Sequence, residues 1–156
     1  MIFLKSYFVN VTPDIDLLPI TSDVRYAVRD AGGKNGLVTI MIPGSGAAVT
    51  VLEPLPEVIE ELKIALEIFA GEGAQCKDKK KEQVFIGPRV QAAMIGRSIT
   101  LPITESRIAM EPYEEIYLID LDKRTRRREF LVQVFSEESP PAGPQGAARG
   151  APPKKK

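Results

Sequence analysis

The sequence predicts an α+β fold of antiparallel strands with one long and two shorter helices. Two observations carry this. Runs rich in β-branched and aromatic residues follow one another across short turns, which implies antiparallel pairing. Helical stretches fall in the order β, α, β, β, α, short α and then a strand-rich end, so the strict alternation of a doubly wound sheet is absent.

The first strand is read at Phe3–Val11, ahead of Pro13. Thr21-Ser22-Asp23 offers N-cap chemistry before Val24, Ala27, Val28 and Ala31, which share one helix face, and Gly32-Gly33 supplies the stop. Gly36–Ile42 and Ala47–Leu52 read as two strands. Between them Pro43-Gly44-Ser45-Gly46 has the glycines a tight hairpin connection needs. The longest helix is expected from Pro56 to Ala70. Val58, Ile59, Leu62, Ala65, Leu66 and Phe69 form its apolar stripe, with Glu57, Glu60, Glu61, Lys63 and Glu67 mostly away from it. Gly71–Glu82 reads as a charged loop carrying Lys77, Lys79, Lys80 and Lys81, and Pro88–Ile95 as a short helix opened by proline. The strand-rich end comprises Ser98–Ile103, then Arg107–Met110 with Glu115–Leu121, and finally Glu129–Phe135.

A chain of 156 residues suits one domain with a core large enough to need no disulfide or structural metal. That domain is assigned to residues 1–138. Residues 139–156 hold five prolines, three glycines and no large apolar side chain, so they are expected to be a disordered tail. The formal net charge is zero, yet the tail carries +4, from Arg149 and Lys154 to Lys156. The body is therefore mildly acidic, which argues against nucleic acid as a partner.

The chain contains no histidine, which excludes Ser-His-Asp and Cys-His catalysis and His-ligated metals within one chain. Its single cysteine, Cys76, excludes an internal disulfide and fits a reducing compartment. Nothing approaches the roughly 20 apolar residues of a membrane span, and residues 1–12 lack the layout of a signal peptide. A cytoplasmic protein with no membrane partner is expected.

Three places offer chemistry. Gly44, Ser45 and Gly46 suit an anion-binding nest of backbone N–H groups with one added hydroxyl, although the same residues suit an ordinary hairpin turn. Strand alternation would put Asp120 and Asp122 on one face, ahead of Arg124, Arg126, Arg127 and Arg128. That suits a divalent cation or a phosphate, or simply a polar turn whose acids and arginines pair across a hairpin. Arg89, among Val90, Ala92 and Ala93, must meet an acid or an anion or lie at an edge. Lys81 and Arg97 stand on either side of its helix. Lysines near Cys76 would favour its thiolate, but no general base accompanies it.

Several of these segments together resemble the YjbQ-like family, also called the secondary thiamine-phosphate synthase family. The resemblance rests on Gly36-Leu37-Val38-Thr39-Ile40-Met41-Ile42-Pro43 leading into Ala47-Ala48-Val49-Thr50, and then on Glu53 and Pro56-Glu57-Val58. It resumes at Ala92-Ala93-Met94-Ile95-Gly96-Arg97-Ser98, at Leu101-Pro102, and at Ile116–Asp122 before Arg126 and Arg128. The resemblance implies a β-sandwich core, a homotrimer, and a polar pocket centred on histidines with thiamine-phosphate synthase activity.

The family's pocket residues are replaced here. Its first-motif histidine falls on Gly44, and the two threonines after it fall on Ser45 and Gly46. The histidine and asparagine of a later stretch fall near Lys81 and Phe85, and the histidine that opens the short helix falls on Arg89. Tyr113-Glu114 stands for a Trp-Gln pair and Lys123-Arg124 for a Gly-Pro turn. Arginine cannot lend or take the proton that imidazole can, and added positive charge favours an anion over a metal.

The leading expectation is therefore a catalytically impaired trimer whose pocket binds an anionic, phosphate-bearing small molecule. Gly44, Ser45, Gly46, Lys81, Arg89, Arg126 and Arg128 would do the binding, with no metal and no cofactor. Alternatively, Asp120, Asp122 and Glu53 would serve as acids in a transferase that holds phosphate on Lys81 and Arg89. A third reading is a structural, partner-binding trimer acting through the basic tail.

Overall fold

The computed structural model describes residues 1–12, 15–70, 75–77, 80, 83–122 and 126–137. The tail expected at 139–156 and Lys81 lie outside them, and the side chains of Cys76 and Arg126 are likewise not described. In chain order the elements begin β1 (Ile2–Val11), β2 (Asp16–Pro19), α1 (Thr21–Ala31), β3 (Gly36–Met41), β4 (Ala47–Leu52) and α2 (Pro56–Ala70). They continue β5 (Gln75–Lys77), β6 (Gln83–Phe85), α3 (Gly87–Ile95), β7 (Ser98–Thr104), β8 (Arg107–Ile108), β9 (Glu115–Asp120) and β10 (Arg126–Ser136). The α+β class holds, with one long and two shorter helices among the described residues. No helix among the described residues is long and apolar enough to cross a membrane.

The strands form a five-stranded sheet ordered β1-β10-β3-β7-β8, a three-stranded sheet ordered β2-β9-β4, and the small β5-β6 pair. Every pairing among the described residues is antiparallel. Val38 and Ile40 of β3 and Phe130, Val132 and Val134 of β10 point inward from the large sheet. They share a buried cluster with Ala47 and Val49 of β4, Ile116 and Leu118 of β9, and the Val24–Ala27–Val28–Ala31 face of α1. The alternate residues Ala48, Tyr117 and Ile119, with Leu121 just beyond β9, face Leu66 of α2 and Ala92 of α3. The small sheet is therefore covered on both sides, which is why Ile116–Ile119 reads as an unbroken apolar run. Burial, then the Glu115 carboxylate, push the Tyr117 phenol above its ordinary pKa.

Several expectations need correcting. The strands at 36–42 and 47–52 do not form a hairpin: β3 pairs with β10 and β7, while β4 pairs with β9 in the other sheet. The glycines at 44–46 thus serve a crossover between layers. A short strand, β2, escaped the sequence pattern because four residues are too few to display a period. The composite strand expected from Arg107–Met110 with Glu115–Leu121 is two strands in different sheets, and the loop expected at 71–82 contains β5.

On α2 the buried line runs through Ile59, Leu62, Leu66 and Ala70, whereas Phe69 is 68% exposed. At the other helix Thr21 is not the N-cap but the first helical residue, following Ile20. Its hydroxyl donates to the Glu115 carboxylate and accepts the N–H of Ile116 at 2.9 Å, fastening α1 to β9. The stop is as read: Gly32 adopts φ 76° and its N–H caps Arg29 O at 3.1 Å.

Replacing Thr21 with valine keeps its volume but leaves the buried Ile116 N–H unpaired. Urea denaturation should show a loss of about 1–3 kcal/mol, with Thr21→Ser retaining most of the stability.

Candidate functional site

The crossover after β3 is held by backbone on three sides. Ile42 N–H donates to Arg97 O at 2.8 Å, Leu121 N–H to Gly46 O at 2.9 Å, and Val49 N–H to Gly96 O at 3.1 Å. Gly44 takes φ 100°, a conformation that strains any L side chain. A Cβ there would also lie 3.3 Å from Nη1 of Arg128.

Arg128 lies beneath this loop and is 5% exposed. Its Nε donates to Oδ2 of the fully buried Asp120 at 3.0 Å, while Asp120 Oδ1 accepts the Asp122 N–H at 2.9 Å. The ion pair spans the two sheets, since Asp120 closes β9 and Arg128 is the third residue of β10. It is therefore not the pairing across one hairpin that the sequence suggested. Nη2 of Arg128 is buried without a hydrogen-bond partner among the described residues.

Above the loop, between it and α3, lies a pocket of about 310 Å³. Gly44, Ser45 and Ala47 form one wall, and Arg89, Ala92 and Arg97 belong to the other. Arg89 stands on the first turn of α3 and Arg97 just past its end, both exposed. Neither makes an ion pair among the described residues, and no carboxylate among them lines the pocket. Two guanidinium groups, a hydroxyl and a glycine loop make a setting that favours negative charge.

Of the residues singled out from sequence, Gly44, Ser45 and Arg89 meet here. Gly46 borders Asp122 and Arg128, where a Cβ would come within 3.5 Å of Asp122 Oδ2 and 3.7 Å of Arg128 Nη2. Arg128 and Asp120 form the support below the loop and do not line the pocket. Glu53 follows Leu52, which pairs with Glu115 at the opposite end of the small sheet from Asp120. At about 3.3 Å per residue, it stands roughly 20 Å along β4 from Asp120. Asp122 is half-buried beside Asp120. Among the described residues no group of three acidic or sulfur side chains is placed to hold a metal.

Sequence reasoning missed Ala47, Ala93 and Gly96 as parts of this pocket. The small residues of Ala92-Ala93-Met94-Ile95-Gly96 were the available signal, because a helix packed close to a backbone loop needs them.

The chain matches the family profile described as "UPF0047 protein YjbQ-like" over residues 5–137. It is 22% identical to a UPF0047 protein of Synechocystis over 135 residues, covering 85% of this chain and 92% of that protein. A UPF0047 protein of Methanothermobacter thermautotrophicus is 22% identical over 118 residues, covering 73% and 79% respectively. The fold matches the crystal structure of a YbjQ-like protein of unknown function from Sulfolobus solfataricus. There the TM-score is 0.80 at 22% identity, with 88% of this chain and 99% of that one covered. A hypothetical protein from Aeropyrum pernix matches with a TM-score of 0.77 at 23% identity, covering 86% and 98%.

Arg128→Met would leave the Asp120 carboxylate buried and uncompensated, which typically costs about 3–5 kcal/mol. Chemical denaturation should show that loss, and adding Asp120→Asn should restore a substantial part of it, since the amide keeps an oxygen for the Asp122 N–H.

Proposed function

Because this chain belongs to the YjbQ-like UPF0047 family, we propose that it keeps the family scaffold as a binding protein for a small phosphate-bearing anion, with catalysis impaired. The observation that carries the reading is the convergence of Ser45, Arg89 and Arg97 on one pocket that no carboxylate among the described residues lines. Two guanidinium groups with no ion pair among the described residues can grip a phosphate bidentately, and the Gly44–Ser45 backbone lies beside them.

Impairment follows from chemistry. The chain has no histidine, and general acid–base help is worth typically ~10²–10⁴-fold. The φ of Gly44 further disfavours any side chain at the position where the resembled family carries its first histidine. An acid mechanism on Asp120, Asp122 and Glu53 draws little support, with Asp120 committed to Arg128 and Glu53 at the far end of the sheet. The reading places the protein in a reducing, cytoplasmic compartment, in keeping with its single cysteine.

Assembly as a homotrimer is part of the proposal. Its support is the outer face of the large sheet, where Ile2, Phe135, Leu37 and Pro102 stand in one cross-strand row and are all exposed. Contiguous apolar surface of this kind marks association.

In a thermal-shift series, thiamine phosphate or inorganic phosphate should stabilise the protein, by about 2.7 kcal/mol at ~100 times the dissociation constant. Arg89→Ala combined with Arg97→Ala should abolish the shift and leave the unliganded melting temperature unchanged. A shift that survives in the double variant would sink the reading. Sedimentation equilibrium should return three times the 17.1 kDa chain mass, and Phe135→Asp should return the monomer.

A further inference from the structure

A second concavity, of about 420 Å³, lies between α1 and the β7–β8 hairpin. None of its lining residues belongs to the pocket above β4. Its apolar surface comes from Val28, Ile108, Met110 and Pro112, and Arg25, Arg107 and Ser106 of the hairpin turn supply its polar lining. Val28 is buried, Ile108 and Met110 are half-buried, and both arginines are exposed. Neither Arg25 nor Arg107 makes an ion pair among the described residues.

The rim is prebuilt at a cost in backbone strain. Glu105 and Ser106 hold φ 49° and 63°, a left-handed pair with no glycine in it. Two such residues turn β7 back into β8, with Thr104 opposite Arg107. The turn is fastened to the loop after α1: Ser106 N–H donates to Lys34 O at 2.8 Å and Glu105 N–H to Asn35 Oδ1 at 3.3 Å. Beyond it, Ala109 N–H donates to Pro102 O at 2.9 Å, so the segment leading to Met110 is also held. The strained turn fixes where Ser106 and Arg107 stand relative to the apolar floor.

A concavity at the small end of the usual ligand range, apolar below and cationic at the rim, has a defined complement. We propose that this site binds an amphipathic carboxylate. The aliphatic or aryl body would cover Val28, Ile108 and Met110, and the carboxylate would be shared between Arg25 and Arg107, with Ser106 as a further donor. A bare phosphate would leave the apolar floor wet, and an uncharged chain would leave two guanidinium groups unanswered.

Octanoate, below its micellar range, is the probe, and methyl NMR spectra of the full chain are the readout. Saturable one-to-one shifts are expected at Val28, Ile108 and Met110. Arg25→Ala and Arg107→Ala should each weaken binding about tenfold, the scale of one charge-assisted contact. Both side chains are exposed, so both variants should fold. Octanol should bind at least about tenfold more weakly than octanoate by the same argument. No saturable shift in the millimolar range would overturn the proposal, as would undiminished octanoate binding when Arg25→Ala and Arg107→Ala are combined. Octanol binding as tightly as octanoate, or inorganic phosphate shifting the same methyls, would also overturn it.

Discussion

The buried pair of Asp120 and Arg128 is the interaction on which the rest of the molecule is arranged. It joins the last residue of β9 to the start of β10, and these strands lie in different sheets. A carboxylate with no exposure at all is tolerable only if its charge is answered at close range. The answering guanidinium then dictates what passes over it. Only a loop without a side chain at position 44 fits there in its present conformation, and that loop is the crossover between the layers. Pocket wall and ion pair are thus two sides of one packing solution.

Two-sided burial of the small sheet is the second constraint. β9 and β4 are covered by the large sheet on one face and by α2 and α3 on the other. A strand in that position has no solvent face to display, so its outer and inner residues must all be apolar or paired. The exceptions gather at the end of β9, where Asp120 meets Arg128 and the backbone of Asp122. The small side chains of α3 let the helix approach the loop, and that closeness brings Arg89, Arg97 and Ser45 to the lining of one pocket. The shape of this pocket is in this sense a consequence of how the layers close.

The two cavities differ in how their charge is set. Above β4, glycine backbone and Ser45 stand with two arginines, and Ala47, Ala92 and Ala93 supply small apolar patches among them. Between α1 and the β7–β8 hairpin, aliphatic side chains form the floor and the arginines are confined to the rim. The acidic balance of residues 1–138 makes both cationic spots local exceptions.

Much of the fold was legible in the sequence because local rules and global packing agree there. The spacing of Val24, Ala27, Val28 and Ala31 marked the buried face of α1, and Gly32 marked its end, since a left-handed cap is a local demand. The β-branched runs at 36–41 and 47–52 declared themselves strands for the same reason. The absence of histidine and the presence of one cysteine determined which catalytic chemistries were closed. What the sequence alone did not contain was partner choice. Pro43–Gly46 suits a hairpin and a crossover equally well, because turn residues specify local φ and ψ and not which sheet the next strand joins. Likewise, nothing in one dimension told Arg128 from Arg127. Tertiary structure decided it by alternation: one side chain points inward to Asp120, and the other stacks outside over Phe8. Those decisions depend on contacts between residues far apart in the chain, where burial and charge pairing outweigh local preference.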